Sequence, residues 1–107
     1  MLAVTAVDRR AQVYRRAGRG EHIDIAAPGV DVWTAASISG ARPRTGTSFA
    51  APFVTAAAAL MVQAEPELTP AQLRERLRLS TRDLGAEGPD AVFGHGLLVP
   101  PQGCAAP

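Results

Sequence analysis

The stretch Gly46-Thr47-Ser48-Phe49-Ala50-Ala51-Pro52 delivers a serine hydroxyl to the head of an apolar run, Phe53 to Val62. Its small residues describe a tight turn, and the run behind it describes a buried helix. At such a helix start the free backbone N–H groups and the positive end of the dipole favour negative charge. A serine that attacks a carbonyl needs that setting, because the tetrahedral intermediate carries an oxyanion. A plainer reading stays open on the same residues, in which Thr47 or Ser48 is simply the N-cap of the helix.

The other groups with chemistry are few. His22 lies in a polar loop and reads as solvated, and His95 sits between Gly94 and Gly96 and reads as structural. A catalytic base must lie within hydrogen-bond reach, so a histidine elsewhere in the chain is not enough. The order Ser48, then Asp83 or Asp90, then His95 is that of an α/β-hydrolase triad. That fold wants Gly-x-Ser-x-Gly, however, and Ala50 stands at the second glycine. It is kept as a minor alternative, an esterase-like hydrolase.

The serine needs elements to hold it. Leu2 to Val7, ended by Asp8, predicts a buried strand, and Ile23 to Ala26, stopped by Pro28-Gly29, a second. Residues 9–21 predict loop with a short strand near Val13-Tyr14. Val30 to Thr34 predicts a third strand with Trp33 covering an edge, and Ala35 to Thr45 a polar loop. The helix after Ser48 is apolar all round, which belongs in the middle of a larger protein. Pro52 is expected near the end of its first turn. Leu68-Thr69-Pro70-Ala71-Gln72-Leu73 predicts a second helix, with Thr69 as cap, Pro70 at the first position and Gln72 completing a capping box. Leu73 and Leu77 face inward there, and Arg74, Glu75, Arg76 and Arg78 face water. Residues 83–96 are turn-rich, and 99–107 predict a tail.

Composition narrows the partners. Net charge is +1 over 107 residues, which gives no reason to expect nucleic acid or an anionic membrane. Arginines before Ser48 are spread over several elements without interleaved aromatics, so they read as solvated. Cys104 is the single cysteine and forms no intramolecular disulfide. Met1 leads straight into a strand-like run, so no signal peptide is expected. The stretch Phe49 to Val62 is read as too short for a membrane span.

The seven residues from Gly46 to Pro52 resemble, at every position, the motif around the catalytic serine of the subtilisin-like serine proteases, the subtilases. Asp24-Ile25-Ala26-Ala27-Pro28-Gly29-Val30 and Leu2-Ala3-Val4-Thr5-Ala6-Val7-Asp8 resemble the family's preceding strands. Residues 66–77 and Phe93-Gly94-His95-Gly96-Leu97 resemble its closing helix and final glycine turn. Tyr14-Arg15-Arg16-Ala17-Gly18 departs in part from the family's Phe-Ser-x-x-Gly.

The resemblance implies a serine endopeptidase with an Asp-His-Ser triad in that chain order, acting on polypeptides through an acyl-enzyme on Ser48. Gly46 and Thr47 are motif neighbours on the oxyanion side, where the Ser48 N–H contributes. The family's aspartate, histidine and oxyanion-hole asparagine lie farther upstream than Met1, and the sequence has no asparagine. Residues 1–98 are therefore expected to be the C-terminal portion of a catalytic domain, with 99–107 a disordered tail. The implied fold is α/β, part of an α/β/α sandwich with a mainly parallel sheet, to which this part brings two or three strands and two helices. A truncated product, a mispredicted start or one piece of a split protein fits the position of Met1. The chain alone is expected to have little or no activity, needing the N-terminal part of the domain or a complementing chain. A non-catalytic remnant or interaction module is the alternative. No cofactor or metal is assigned, because the family's calcium loops fall mostly outside these residues. The family is usually secreted.

Overall fold

The computed structural model describes residues 2–36 and 40–100. Cys104, most of the expected tail and Ser37 to Ser39 lie outside the described residues. The apolar runs at the start form β1 (Val4–Val7) and β2 (Ile25–Pro28), paired in parallel with Val4 opposite Ile25 and Val7 opposite Pro28. Two short strands follow late in the chain, β5 (Thr81–Arg82) and β6 (Leu97–Leu98). They complete a four-stranded sheet in the order β1-β2-β6-β5, parallel except for β5 against β6. The α/β class with a mainly parallel sheet is thus as expected.

The described residues hold six strands, where two or three were expected. The largest difference is at 35–45, read as loop. There β3 (Val32–Ala36) and β4 (Gly40–Arg44) form an antiparallel hairpin. Pro43 had argued against a strand, but it lies on an outer strand, where a missing N–H leaves no ladder bond unmade. Trp33 stands opposite Pro43 and is 70% exposed, so it does not cover an edge as expected. The short strand expected near Val13 is a single bridge to Val7.

Two helices cover one face of the sheet. α1 (Thr47–Ala64) buries only the stripe Ala50, Val54 and Ala57, one residue per turn. That stripe packs with Ala6, Ile25 and Ala27 of the sheet, Leu98 of β6 and Leu77 of α2 (Pro70–Leu79). Ala58 and Met61 pack partly against that core, and much of the remaining apolar helix is open, with Phe53 43% and Val62 40% exposed. By length and composition alone α1 has the 18 residues and the hydropathy of a membrane span, contrary to the sequence expectation. Its packing is that of a core helix laid on a sheet. Pro52 is the sixth helical residue, in the second turn rather than near the end of the first, and removes the N–H that would reach the Ser48 carbonyl. α2 begins as its sequence dictates: Thr69 accepts from Gln72 N–H, Gln72 Oε1 accepts from Thr69 N–H, and Pro70 opens the first turn. Arg76 pairs with Glu65 across the turn between the helices.

Arg78 does not face water as expected. Its guanidinium donates to Asp24 Oδ1 at 2.8 Å, and Asp24 Oδ2 accepts the Ala3 N–H at 3.0 Å. The Asp24 carbonyl accepts His95 N–H at 2.8 Å. One residue thereby ties together the start of β1, the approach to β2, the end of α2 and the turn before β6.

A second junction fixes the head of α1. Gly46 N–H donates to the Gly29 carbonyl at 2.8 Å, and Asp31 N–H to Thr45 Oγ1 at 3.0 Å. A Cβ on Gly29 would lie 2.5 Å from Ala6 Cβ and 2.8 Å from the Gly46 oxygen. Only glycine lets the end of β2, the middle of β1 and the start of α1 meet this closely.

Two outcomes follow from these junctions. Gly29→Ala is expected to cost about 1–3 kcal/mol, the range for overpacking a core, whereas Gly18→Ala, with nothing within 4 Å, is expected to be near neutral. Urea midpoints of the two variants check this. For Asp24, burial would raise the carboxyl pKa, but the Ala3 N–H, the Arg78 guanidinium and the charge of His95 outweigh it and hold it below its usual value. A depressed folded pKa stabilises above the unfolded value of about 3.9 and loses that contribution as pH falls through the folded one. Asp24→Asn should therefore cost about 1.5–3 kcal/mol at neutral pH. The gap between wild-type and variant urea curves should shrink as the pH drops below about 4.

Candidate functional site

Ser48 occupies the second helical position of α1 and its side chain is exposed. Thr47 and Gly46 precede it, both half-buried. The capping alternative does not hold: the N-cap is Gly46, and no side chain caps the helix. Gly46 sits at φ 152°, ψ 161°, a backbone that side-chain-bearing residues rarely adopt, which is why glycine ends the β4 approach. The one turn bond is Phe49 N–H to the Gly46 carbonyl, 3.0 Å. No acidic residue lies in the first turn. The hydroxyl therefore stands beside uncapped backbone N–H groups with no nearby carboxylate on its own helix to cancel the dipole. That geometry suits an anion forming next to Ser48 Oγ.

Among the described residues no hydrogen bond joins Ser48 to His22 or His95. His22 is exposed in its loop. His95 is held by its backbone, donating to the Asp24 carbonyl and accepting from Thr81 Oγ1 at 3.1 Å. These backbone bonds tie the turn before β6 to Asp24 and Thr81. The carboxylates of the α/β-hydrolase alternative are also committed elsewhere. Asp83 Oδ2 accepts Gly88 N–H at 2.6 Å, and Asp90 Oδ1 accepts Val92 and Phe93 N–H at 2.9 and 2.8 Å. Both hold turns in the 83–96 loop. No group of three or more His, Cys, Asp or Glu suited to a metal occurs among the described residues.

Sequence reasoning missed the parts that aim the serine. The β3–β4 hairpin leads directly into Gly46, and the Gly29 junction sets where it lands. Pro28-Gly29 and Thr45-Gly46 each mark the end of a strand, but their mutual contact joins distant segments and has no local signal. The Asp24–Arg78 pair is likewise long-range.

A sequence model of the Subtilase family matches residues 1–96. The chain is 34% identical over 98 residues to the minor extracellular protease Epr of Bacillus subtilis, covering 92% of this chain and 15% of Epr. It is 33% identical over 98 residues to subtilisin DY of Bacillus licheniformis, covering 92% of this chain and 35% of that protein. Among solved structures, MycP1 from Mycobacterium smegmatis superimposes with a TM-score of 0.81 at 30% identity, over 92% of this chain and 28% of that one. A related structure is described as a serine protease that is an essential component of a type VII secretion system. The chain thus spans only 15% to 35% of the length of these relatives. With residues 1–96 matched by the family model and the solved relative superimposing over 92% of the chain, the chain belongs to the subtilases.

Proposed function

We propose that Ser48 is the nucleophile of a serine-type endopeptidase, and that its proton acceptor and orienting carboxylate come from polypeptide outside these residues. Gly46 and Thr47 shape the turn that presents it. Residues 1–98 act as one part of a catalytic domain and 99–107 as its tail. The observation that carries this reading is an exposed serine at the second position of an uncapped, acid-free helix start.

In the reaction, Ser48 Oγ bonds to the scissile carbonyl carbon while an imidazole from the complementing part takes its proton. The oxyanion forms against the Ser48 N–H and the head of α1. Collapse breaks the C–N bond, the imidazole returns the proton to the leaving amine, and water then hydrolyses the acyl-enzyme. An unassisted serine hydroxyl is a poor nucleophile. Subtilisin stripped of its triad keeps only about 10³–10⁴-fold catalysis over water, and that residue relies on its oxyanion hole and substrate binding. The isolated chain, lacking an imidazole at Ser48, has little or no activity.

The surface supports a docking polypeptide. The outer edge of β1 is paired only at its end, where Val13 bridges Val7 and Tyr14 N–H donates to the Ala6 carbonyl at 2.8 Å. From Val4 that edge has no strand partner among the described residues, and beside it lies an apolar cavity of about 350 Å³ lined by Leu2, Val4, Ala51 and Leu73. An open strand edge next to an apolar groove accepts a further strand and its covering segment. The same exposure favours the second reading, an interaction module without catalysis. Secretion is the expectation for the whole protein, since Epr is named as extracellular.

The experiment is labelling of the purified chain with a serine-directed phosphonate. We expect no labelling alone, and labelling with peptide hydrolysis once a polypeptide carrying the subtilase aspartate and histidine motifs is added. Ser48→Ala should then lower kcat by about 10⁶-fold. Robust labelling of the chain alone would overturn the reading, and docking without labelling would favour the interaction module.

A further inference from the structure

Arg9, Arg10, Arg15, Arg16 and Arg19 lie in the loop between β1 and β2, with no acid from Arg9 to Gly20. The loop backbone makes two pinned turns. Ala11 N–H donates to the Asp8 carbonyl at 3.0 Å, which puts Arg9 and Arg10 at the corner of the first. Asp8 also holds that turn with its side chain, Oδ1 accepting the Arg10 and Gln12 N–H groups at 2.8 and 3.0 Å. Ala17 N–H donates to the Tyr14 carbonyl at 3.0 Å, which puts Arg15 and Arg16 at the corner of the second. All four corner residues are exposed, as is Arg19, and none of the five forms an ion pair among the described residues.

Both corners lie along one strand edge. Between them Gln12 to Tyr14 runs back antiparallel to β1, with Val13 bridging Val7 and Tyr14 N–H on the Ala6 carbonyl. The first corner therefore lies beyond the end of β1. The second bends away beside its middle, near where the unpaired part of the edge begins. From Arg10 to Arg15 the backbone spans at most about 17 Å, at roughly 3.4 Å per residue. Arg9 and Arg10 also border a cleft of about 500 Å³, whose acids are Asp8 and Asp31. No large apolar side chain of the loop is exposed, and Tyr14 packs against the core. A nucleic acid wants aromatic platforms and a bilayer wants apolar residues beside the cations, and the loop offers neither. Guanidinium groups suit carboxylates, which they bind through two parallel hydrogen bonds.

We infer that the two arginine corners are a docking surface for an acidic segment of the complementing polypeptide, where that polypeptide meets the β1 edge. Arg15 and Arg16, beside the unpaired edge, take the carboxylates nearest the sheet, and Arg9 and Arg10 take those farther along. This rests on the docking polypeptide proposed above and gives that partner its charge.

Blocked fluorescent peptides of alternating threonine and glutamate, and of alternating threonine and glutamine, are titrated with the chain and read by anisotropy. The glutamate peptide is expected to bind about tenfold tighter and to lose that advantage as salt rises. Arg15→Gln with Arg16→Gln should remove most of the preference, and Arg9→Gln with Arg10→Gln should reduce it. Arg82→Glu removes as much charge on β5, at the opposite edge of the sheet, and should leave the preference intact. Urea midpoints equal to the wild type check that the variants fold, and the wild-type comparison of the two peptides needs no variant. Equal binding of the peptides or an equal loss in Arg82→Glu overturns the inference. So does tighter binding to phosphatidylserine vesicles or to single-stranded oligothymidylate than to the glutamate peptide. Phosphonate labelling of the complemented Ser48 without a glutamate preference overturns the arginine surface alone. A glutamate preference without that labelling overturns the nucleophile alone.

Discussion

The approach of three backbones at Gly29 is the constraint on which the rest depends. The end of β2, the middle of β1 and the start of α1 meet where a single methyl group would collide with two of them. The Gly46 N–H to Gly29 carbonyl bond then fixes the helix start against the sheet. Because α1 begins there, its dipole, its open N–H groups and the serine at its second position are all set by sheet geometry rather than by loop conformation. The nucleophile proposed at Ser48, carried on such a junction, would lose little orientation when substrate arrives. The cap position is filled by a glycine with no side chain to offer, which leaves the first-turn donors to whatever anion comes near.

Much of this was legible in the sequence, and the limits have physical reasons. The serine turn, the two apolar strands and the Thr69–Gln72 box are local patterns, and local patterns survive in a single chain. Strand β4 was hidden because Gly-Ala-Arg-Pro-Arg has neither apolar alternation nor β-branching. Its pairing comes from the partner strand, and its proline is tolerated only because one side faces out. Strands β5 and β6 are two residues each, too short to show a period. Arg78 looked solvated on a helical wheel. Its partner, Asp24, is 54 positions away and contributes through a fold the wheel does not contain.

The helix after the serine illustrates how composition can exceed a chain's own needs. Its sequence is apolar on every side, yet the sheet and α2 use a single stripe of it. The remaining faces divide by neighbourhood, one continuing toward an unpaired strand and one turned to the β3–β4 hairpin. Belonging to the subtilases while spanning at most about a third of its compared relatives gives that surplus a plain reading. Those open faces are the surfaces that the complementing polypeptide proposed for Ser48 would cover.

The pairing of Ala26 with Leu97 has a consequence for how the chain reaches this state. The sheet cannot close until Leu97 is available, because its third strand lies 71 positions beyond the strand it joins. Contacts of such wide separation are slow to form, since the intervening segment must first give up its freedom. Meanwhile the two helices, joined by a short turn and a ready-made cap, assemble quickly from neighbours. An early species would thus present a greasy rod over a half-built sheet, the kind of surface that chaperones hold and that clumps when they do not.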